Sequence, residues 1–164
     1  MNDLLRSLEQ ERAKFAFESI FQVKERGEED RELEKKYRSH VRSASTLILT
    51  NGLGNALAFY QSKFEPGTKI ETPGDVENFI NRDNFNNLKP EKRSYALLYF
   101  YLSKWLAGKG SDQVNVTEGN DPLQWTINNA TSLEVLQATQ ETLALLNWMK
   151  RFAQAILEEE KEEE

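Results

Sequence analysis

The sequence predicts an all-α fold, a single-domain bundle of about six or seven helices, from three observations. Apolar residues recur every three or four positions over most of the chain, which is the spacing of one helix face. The alternation typical of a half-buried strand is missing, and residues 113–116 are too few to count as one. The 164 residues suit one domain, which we expect to span residues 1–157 and to bury its core without metals or disulfides.

Two helices are predicted at the start of the chain, over residues 3–26 and 31–50. The apolar stripe of the first helix is interrupted by Arg12, which falls within it. Residues 27–30 (GEED) break the pattern, and their acidic side chains suit the N-terminus of the second helix. The apolar face of the second helix consists of Leu33, Tyr37, Val41, Ala44 and Ile48.

A corner is predicted at residues 51–54 (NGLG), before a third helix over about residues 55–63. Two glycines ahead of a helix also suit a phosphate-binding loop, but that loop needs a preceding strand and a third glycine where Leu57 stands. We therefore predict a helix C-terminus with a left-handed residue at Asn51 or Gly52.

Proline, glycine and capping residues mark the remaining helices. Thr131 or Ser132 is a suitable N-cap for the last one, with Glu134 as the capping-box partner of Thr131. These predicted helices are a short one near residues 75–82, an apolar one from Pro90 to Gly108, a short one capped by Asp121, and a long one to about Glu158.

The apolar helix after Pro90 is rich in aromatic residues, which invites a base-stacking interpretation. The helical core spacing of Tyr95 and Trp105 favours packing inside the bundle instead. We expect Tyr99 and Tyr101 to lie at the surface, where they would contribute to a protein interface.

The net charge of −6 is unevenly distributed. Residues 158–164 (EEEKEEE) carry −5, which leaves −1 for the preceding 157 residues, while residues 31–63 and 89–110 each carry +4. Local charge decides whether an anion docks, so both basic segments are candidate binding regions. We expect the acidic segment, residues 158–164, to be a disordered, solubilising tail.

Targeting and membrane signals are missing from the sequence. No stretch approaches the roughly 20 apolar residues of a membrane span. The start of the chain mixes charges with apolar residues and does not have the apolar core of a secretion signal. We therefore expect a cytoplasmic protein with no membrane partner.

Residues for catalysis or metal binding are scarce. The chain has no cysteine, and its one histidine, His40, lies at the edge of an apolar stripe, where packing is the usual role. One histidine without a nucleophile motif supports neither a Ser-His-Asp triad nor a metal-binding pair. We expect no catalytic residue, no metal and no cofactor, and therefore no enzyme.

Two helix faces carry the strongest binding pattern. In the second helix four basic residues lie within about 60° of one another, opposite the apolar face, over roughly 16 Å. In the last helix Lys150 and Arg151 share a polar face with Asn147 and Gln154, a mixture that suits a sugar–phosphate backbone. An ordinary solvated face shows the same spacing, so both interpretations stay open. The basic residues of the second helix are Arg31, Lys35, Arg38 and Arg42.

Four stretches of the sequence resemble one protein family. NGLGNALAF (51–59) and LALLNWMKRFAQAI (143–156) hold unusual combinations, and LEQERAKFAF (8–17) and YALLYFYLSKWL (95–106) are similar as well. Together they resemble the small subunit of the type III-B CRISPR effector, the Cmr RNA-silencing complex, over about residues 5–157.

The resemblance implies a small, all-helical subunit without catalytic activity of its own. Several copies would stack in a filament beside the backbone subunits and complete the groove that holds guide RNA and its single-stranded RNA target. The implied partners are the other Cmr subunits, both RNAs and copies of the same chain. A helical adaptor that contacts only protein is the alternative function.

Candidate contact residues follow from these patterns. Lys150 and Arg151 lie in a matching motif and are the first candidates for RNA contact; the others are Arg38, Arg42, Lys35 and Arg31.

Arg12, with Glu9 beside it, marks a candidate subunit interface on the first helix. A fraying helix in which Arg12 extends to water is the alternative explanation.

Overall fold

The computed structural model describes residues 2–27 and 30–159, with side chains from residue 7 onward. Seven α-helices and one short 3₁₀ helix form an all-α bundle, with no strand among the described residues, so the predicted fold class is confirmed. The helices are α1 (Asn2–Arg26), α2 (Arg31–Asn51), α3 (Leu53–Phe64), α4 (Pro73–Ile80), α5 (Pro90–Leu106), α6 (Pro122–Asn128) and α7 (Ser132–Ile156), and the 3₁₀ helix is Phe85–Asn87.

The centre of the bundle is α5, which is buried on all sides from Arg93 to Leu106 except at Lys104. It packs mainly against α2, α3 and α4, while α1 and α7 pack against each other and over its C-terminal part. A helix that is apolar around its whole circumference belongs in the interior. The prediction that Tyr99 and Tyr101 lie at the surface is therefore wrong, because both are buried.

The hydroxyls of Tyr99 and Tyr101, two buried tyrosines of α5, bind side chains of neighbouring elements. The Tyr99 hydroxyl donates to Asp121 Oδ1 and accepts from Gln61 Nε2, and the Tyr101 hydroxyl donates to Gln22 Oε1 at 2.6 Å. His40 lies at the rim, as predicted: its ring stacks on Tyr95 with centroids 3.8 Å apart. These partners come from α1, α2, α3 and the start of α6, so α5 is tied to most of the bundle.

Capping residues fix the helix starts much as the sequence predicts. Thr131 and Glu134 form the predicted capping box, and the Asp121 carboxylate accepts from the Gln124 backbone N–H. The third helix begins at Leu53 rather than at residue 55, and α4 begins at Pro73 rather than near 75. The apolar spacing therefore predicts that a helix forms, and the local capping residues determine where it begins and ends.

The corner between α2 and α3 is a helix end, as predicted. The Gly52 N–H donates to the Ile48 carbonyl, and Leu53 is buried. Gly52 has the predicted positive φ of 87°, but its ψ of 157° lies outside the left-handed helical region. A Cβ at Gly54 would lie 3.1 Å from the Thr126 hydroxyl oxygen, so this glycine allows α6 to pack closely.

The C-terminal acidic segment begins inside the described part of the chain. Glu158 and Glu159 lie against α2, and residues 160–164 lie outside the described residues. The prediction of a disordered tail over residues 158–164 stays a prediction.

Candidate functional site

The outward face of α7 carries the first pair of predicted contact residues. Lys150 and Arg151 are exposed, and neither forms a hydrogen bond or ion pair with any described residue. The exposed amides of Asn147 and Gln154 lie on the same face. The helix itself is held by its capping box and by a buried stripe that includes Ala138, Leu145 and Met149. The packed helix α7 therefore exposes two cations, Lys150 and Arg151, that have no partner in the described part of the chain.

The basic residues of α2, which we call the α2 stripe (Arg31, Lys35, Arg38 and Arg42), are less uniform. Lys35 pairs with Glu32 at 3.1 Å, and Arg31 lies 3.7 Å from the Glu158 carboxylate. Arg42 is exposed and has no hydrogen-bond or ion-pair partner in the part of the chain that the structure describes. The stripe is therefore partly paired and partly open.

Arg38 is the most constrained member of the α2 stripe. It donates to the carbonyl oxygens of Gln154 and Leu157, each at 3.1 Å, and its side chain is only 20% exposed. A cation at a helix C-terminus satisfies carbonyls that have no partner inside the helix and meets the negative end of the helix dipole. Arg38 thus joins α2 to the last turn of α7.

This junction fixes the relative direction of the two helices that carry the basic faces. Since α2 begins beside the C-terminus of α7 and packs along it, the two helices run antiparallel. One turn beyond Arg38, Arg42 therefore lies toward the level of Arg151. The sequence predicts each face separately, and the structure joins the two helices that carry them through Arg38.

The predicted interface residues Arg12 and Glu9 belong to a network between α1 and α7. Arg12 Nε and Nη2 donate to the two oxygens of Glu141, both at 2.8 Å, and Arg12 Nη1 donates to Glu9 at 2.9 Å. Trp105 Nε1 donates to Glu141 at 3.0 Å. Hydrogen bonds within the chain thus hold the Arg12 side chain, and the alternative in which it extends to water from a fraying helix is wrong.

The pKa values of this pair shift in opposite directions. The hydrogen bond to Glu141 raises the pKa of Arg12, although burial opposes it. Burial alone would raise the pKa of Glu141, but the hydrogen bonds from Arg12 and Trp105 outweigh it and lower that pKa. Both groups are therefore held in their charged forms.

An exposed aromatic strip lies beside this network, and the sequence reasoning missed it. Phe17 and Phe21 are 43% and 42% exposed, with ring centroids 4.8 Å apart. Phe152 contacts Phe17 edge-on at 5.4 Å and stacks on Trp148 at 5.9 Å. We call these four residues the aromatic strip; large exposed apolar groups that adjoin one another mark contact surfaces.

A local signal for the strip was present in the sequence. Phe17 and Phe21 are one turn apart on α1 but fall outside its apolar stripe, which is unusual for two phenylalanines. Glu9 lies at one end of the strip, because its carboxylate accepts from Trp148 Nε1 at 2.7 Å. The predicted interface residue and the strip thus form one continuous surface.

No assembly for metal-dependent chemistry is visible in the described part of the chain. The described residues hold no group of three or more His, Cys, Asp or Glu side chains placed to bind a metal. Asp121 is a buried carboxyl whose pKa is raised by burial, but it accepts from Tyr99 and caps α6. Among the described helices, none has the length and apolar character needed to cross a membrane.

These features define a class: a small helical protein whose distinctive surfaces are basic helix faces and an aromatic strip, both suited to contact with other molecules. The comparison with protein families agrees with this class. The model of the family described as CRISPR-associated protein (Cas_Cmr5) matches residues 8–156, and the chain belongs to that family. It is therefore a Cmr small subunit of type III-B, and the predicted family is confirmed.

Proposed function

We propose that this chain is a non-catalytic structural subunit of the type III-B ribonucleoprotein, acting in the cytoplasm. It stacks in a filament beside the backbone subunits and helps to hold guide RNA and target RNA through the basic faces of α2 and α7. Family membership supports the coarser statement that it is a Cmr complex subunit. The observation that carries the RNA role is the exposure of Lys150, Arg151 and Arg42, none of which has a hydrogen-bond or ion-pair partner among the described residues.

The proposed RNA contact is electrostatic. Lys and Arg side chains on a helix face bind phosphates without reading sequence, and neighbouring amides add hydrogen bonds to the backbone. Lys150, Arg151 and Arg42 have no partner among the described residues, whereas Arg38, Arg31 and Lys35 already have partners within the chain. Few contacts per copy give weak binding, which repetition along a filament strengthens.

The proposed subunit contact uses the aromatic strip. Glu9 lies at its end with Arg12 one turn away, so the predicted interface residues and the strip cover the same side of α1. We assign this side to another subunit of the complex or to another copy of the chain. The same strip favours the second candidate function, a helical adaptor that contacts only protein, because aromatic surface needs no nucleic acid partner.

Co-elution on a sizing column tests both parts. The chain is mixed with the backbone subunits and guide RNA, and then with a matched single-stranded target. Reversal of charge in the K150E/R151E variant should leave entry into the particle unchanged and weaken target retention. The loss should shrink as salt rises, since counterion release drives the contact.

A matched control separates local contact from total charge. The K69E/R82E variant carries the same change in net charge at exposed residues in the connections that precede and follow α4, outside both basic segments. It should retain the target as the unaltered chain does. Entry without any effect of K150E/R151E on RNA would leave an architectural adaptor, and failure to enter would contradict the subunit role itself.

A further inference from the structure

The chain leaves α7 along a fixed path onto α2. Leu157 is buried with an extended backbone, and the Glu158 N–H donates to the Glu34 carboxylate at 3.2 Å. Glu34 is itself 2% exposed and also accepts from Lys24 at 3.0 Å. The first residues of the acidic segment are therefore directed by a buried acceptor on α2.

The two acidic side chains that follow lie on the α2 stripe. The Glu158 carboxylate is 3.7 Å from Arg31 Nη1, and the Glu159 carboxylate is 3.7 Å from Arg38 Nη2. Two of the four basic residues of the stripe are thus paired with the start of the acidic segment. The exposed cations of α7, Lys150 and Arg151, have no such pairing among the described residues.

The charge and the length of the acidic segment are sufficient for ion pairs with the whole α2 stripe. Residues 158–164 carry −5 against four basic residues on α2. The five residues after Glu159 can span up to about 17 Å, whereas Arg38 and Arg42 are separated by only about 6 Å along the helix. The chain is thus long enough for the remaining glutamates to reach the rest of the stripe.

We propose that the acidic segment, residues 158–164, is an intramolecular competitor that covers the α2 stripe against phosphate polyanions. Exposed ion pairs of this kind are individually weak, so a dense run of phosphates displaces the segment. Tethering keeps the local concentration of carboxylates high, so stray or short polyanions do not displace it. The inference rests on the proposed function in that the α2 stripe is one of its RNA-contacting faces.

Inorganic polyphosphate of about 20 units is the probe, because it offers phosphates without bases or guide pairing. Its affinity is measured by calorimetry for the unaltered chain and for a variant with all six glutamates of residues 158–164 changed to Gln. The variant keeps the length of the segment and removes its carboxylates. We expect it to bind about 3- to 10-fold more tightly at low salt, and the gain to vanish at high salt.

Two further backgrounds locate the effect. In an R31Q/R42Q background the gain should shrink, because only Lys35 and Arg38 of the α2 stripe stay charged, and in a K150Q/R151Q background the ratio should be unchanged. Arg31 and Arg42 are exposed and do not hold the end of α7, so these changes spare the fold. Equal affinities with and without the glutamates, or a gain of undiminished size in R31Q/R42Q, would overturn the proposal.

The probe also separates this inference from the proposed function. If the particle retains target RNA equally well after every charge reversal, the RNA role fails, while a polyphosphate gain still supports the acidic competitor. If the gain is missing but K150E/R151E weakens target retention, the competitor fails and the RNA role stands.

Discussion

Arg12 and Glu141 form a two-pronged ion pair between α1 and α7, 129 positions apart in sequence, with both hydrogen bonds at 2.8 Å. The two side chains are 18% and 12% exposed, so the pair is largely removed from solvent. Trp105 donates to the same carboxylate, which links the pair to the central helix. The pair ties α1, which carries Phe17 and Phe21 of the aromatic strip, to α7, which carries Lys150 and Arg151.

The variant Glu141→Gln is expected to lower the free energy of unfolding by about 2 kcal/mol, because it removes the carboxylate that binds two nitrogens of the partly buried Arg12 and leaves only exposed Glu9 as its ion-pair partner. For a chain of this length that corresponds to a drop of roughly 4–8 °C in melting temperature. Glu9→Gln is the matched control, since Glu9 is 54% exposed and its pair with Arg12 is worth little. Equal decreases in melting temperature for the two variants would contradict the central role of Glu141.

The same pair predicts a specific pH dependence. The pKa of Glu141 is lowered from its ordinary 4.5, so the ionised carboxylate stabilises the folded state. That contribution is present above pH 4.5 and is lost as the pH falls through the lowered folded pKa. The stability difference between the unaltered chain and Glu141→Gln should therefore shrink in acid, measured by urea unfolding at each pH. The pKa of Asp121 is raised by burial, so its contribution to stability changes with pH in the opposite direction. Because Asp121 is present in both proteins, its contribution cancels in the stability difference.

Much of the fold follows from local sequence. Apolar spacing and capping residues are local signals, which is why the capping box of Thr131 and Glu134 and the cap at Asp121 are predicted correctly. Surface placement on α5 depends on how many helices surround it. Helical spacing predicts one core face and places Tyr99 and Tyr101 outside it, whereas α5 is covered on every side and buries both.

The candidate sites depend more on tertiary contacts. The outward direction of Lys150 and Arg151 follows from helical spacing alone. The partners of Arg38, in contrast, are carbonyls 116 and 119 positions away, and no local pattern indicates them. The aromatic strip likewise requires α1 and α7 to lie side by side, although Phe17 and Phe21 carried a local hint.

Two glycines in the α5–α6 connection offer a matched test of backbone packing. Gly108 and Gly119 have φ of 87° and 81°, a region that disfavours side chains. A Cβ at Gly108 would lie 2.5 Å from the Val114 carbonyl oxygen, whereas one at Gly119 meets nothing within 4 Å. We expect Gly119→Ala to cost about 1 kcal/mol and Gly108→Ala about 2–4 kcal/mol in chemical unfolding. Equal losses of unfolding free energy would show that the backbone at Val114 shifts to make room for the added Cβ.

Alkaline pH should unfold the bundle through its buried tyrosines. Burial raises the pKa of Tyr101 to about 12 and raises those of Tyr37, Tyr60 and Tyr99 as well. A group with a raised folded pKa contributes stability that is complete below its ordinary value of 10 and is lost as the pH rises through the folded pKa. Tyrosinate absorbance and helical circular dichroism should therefore change together above pH 10.

A single substitution sharpens the alkaline test. The Tyr37 hydroxyl is buried with no hydrogen-bond partner in the described part of the chain, so Tyr37→Phe should cost little at neutral pH and should extend stability to higher pH. Tyr99→Phe removes a donor to buried Asp121 and should instead cost about 2 kcal/mol at neutral pH. Tyrosines that ionise near pH 10 while the helices stay intact would contradict the mechanism.

The aromatic strip should govern entry into the complex rather than stability. Phe17 and Phe21 are 43% and 42% exposed, so F17S/F21S should lower the free energy of unfolding by about 2–3 kcal/mol and leave the chain folded. Aromatic anchors dominate protein interfaces, and their loss should weaken entry into the particle on the order of tenfold on a sizing column. The control L49S/L133S alters two leucines that are 71% and 65% exposed outside the strip and should enter normally. Equal losses for the two double variants would mean that general surface hydrophobicity, and not this strip, drives assembly.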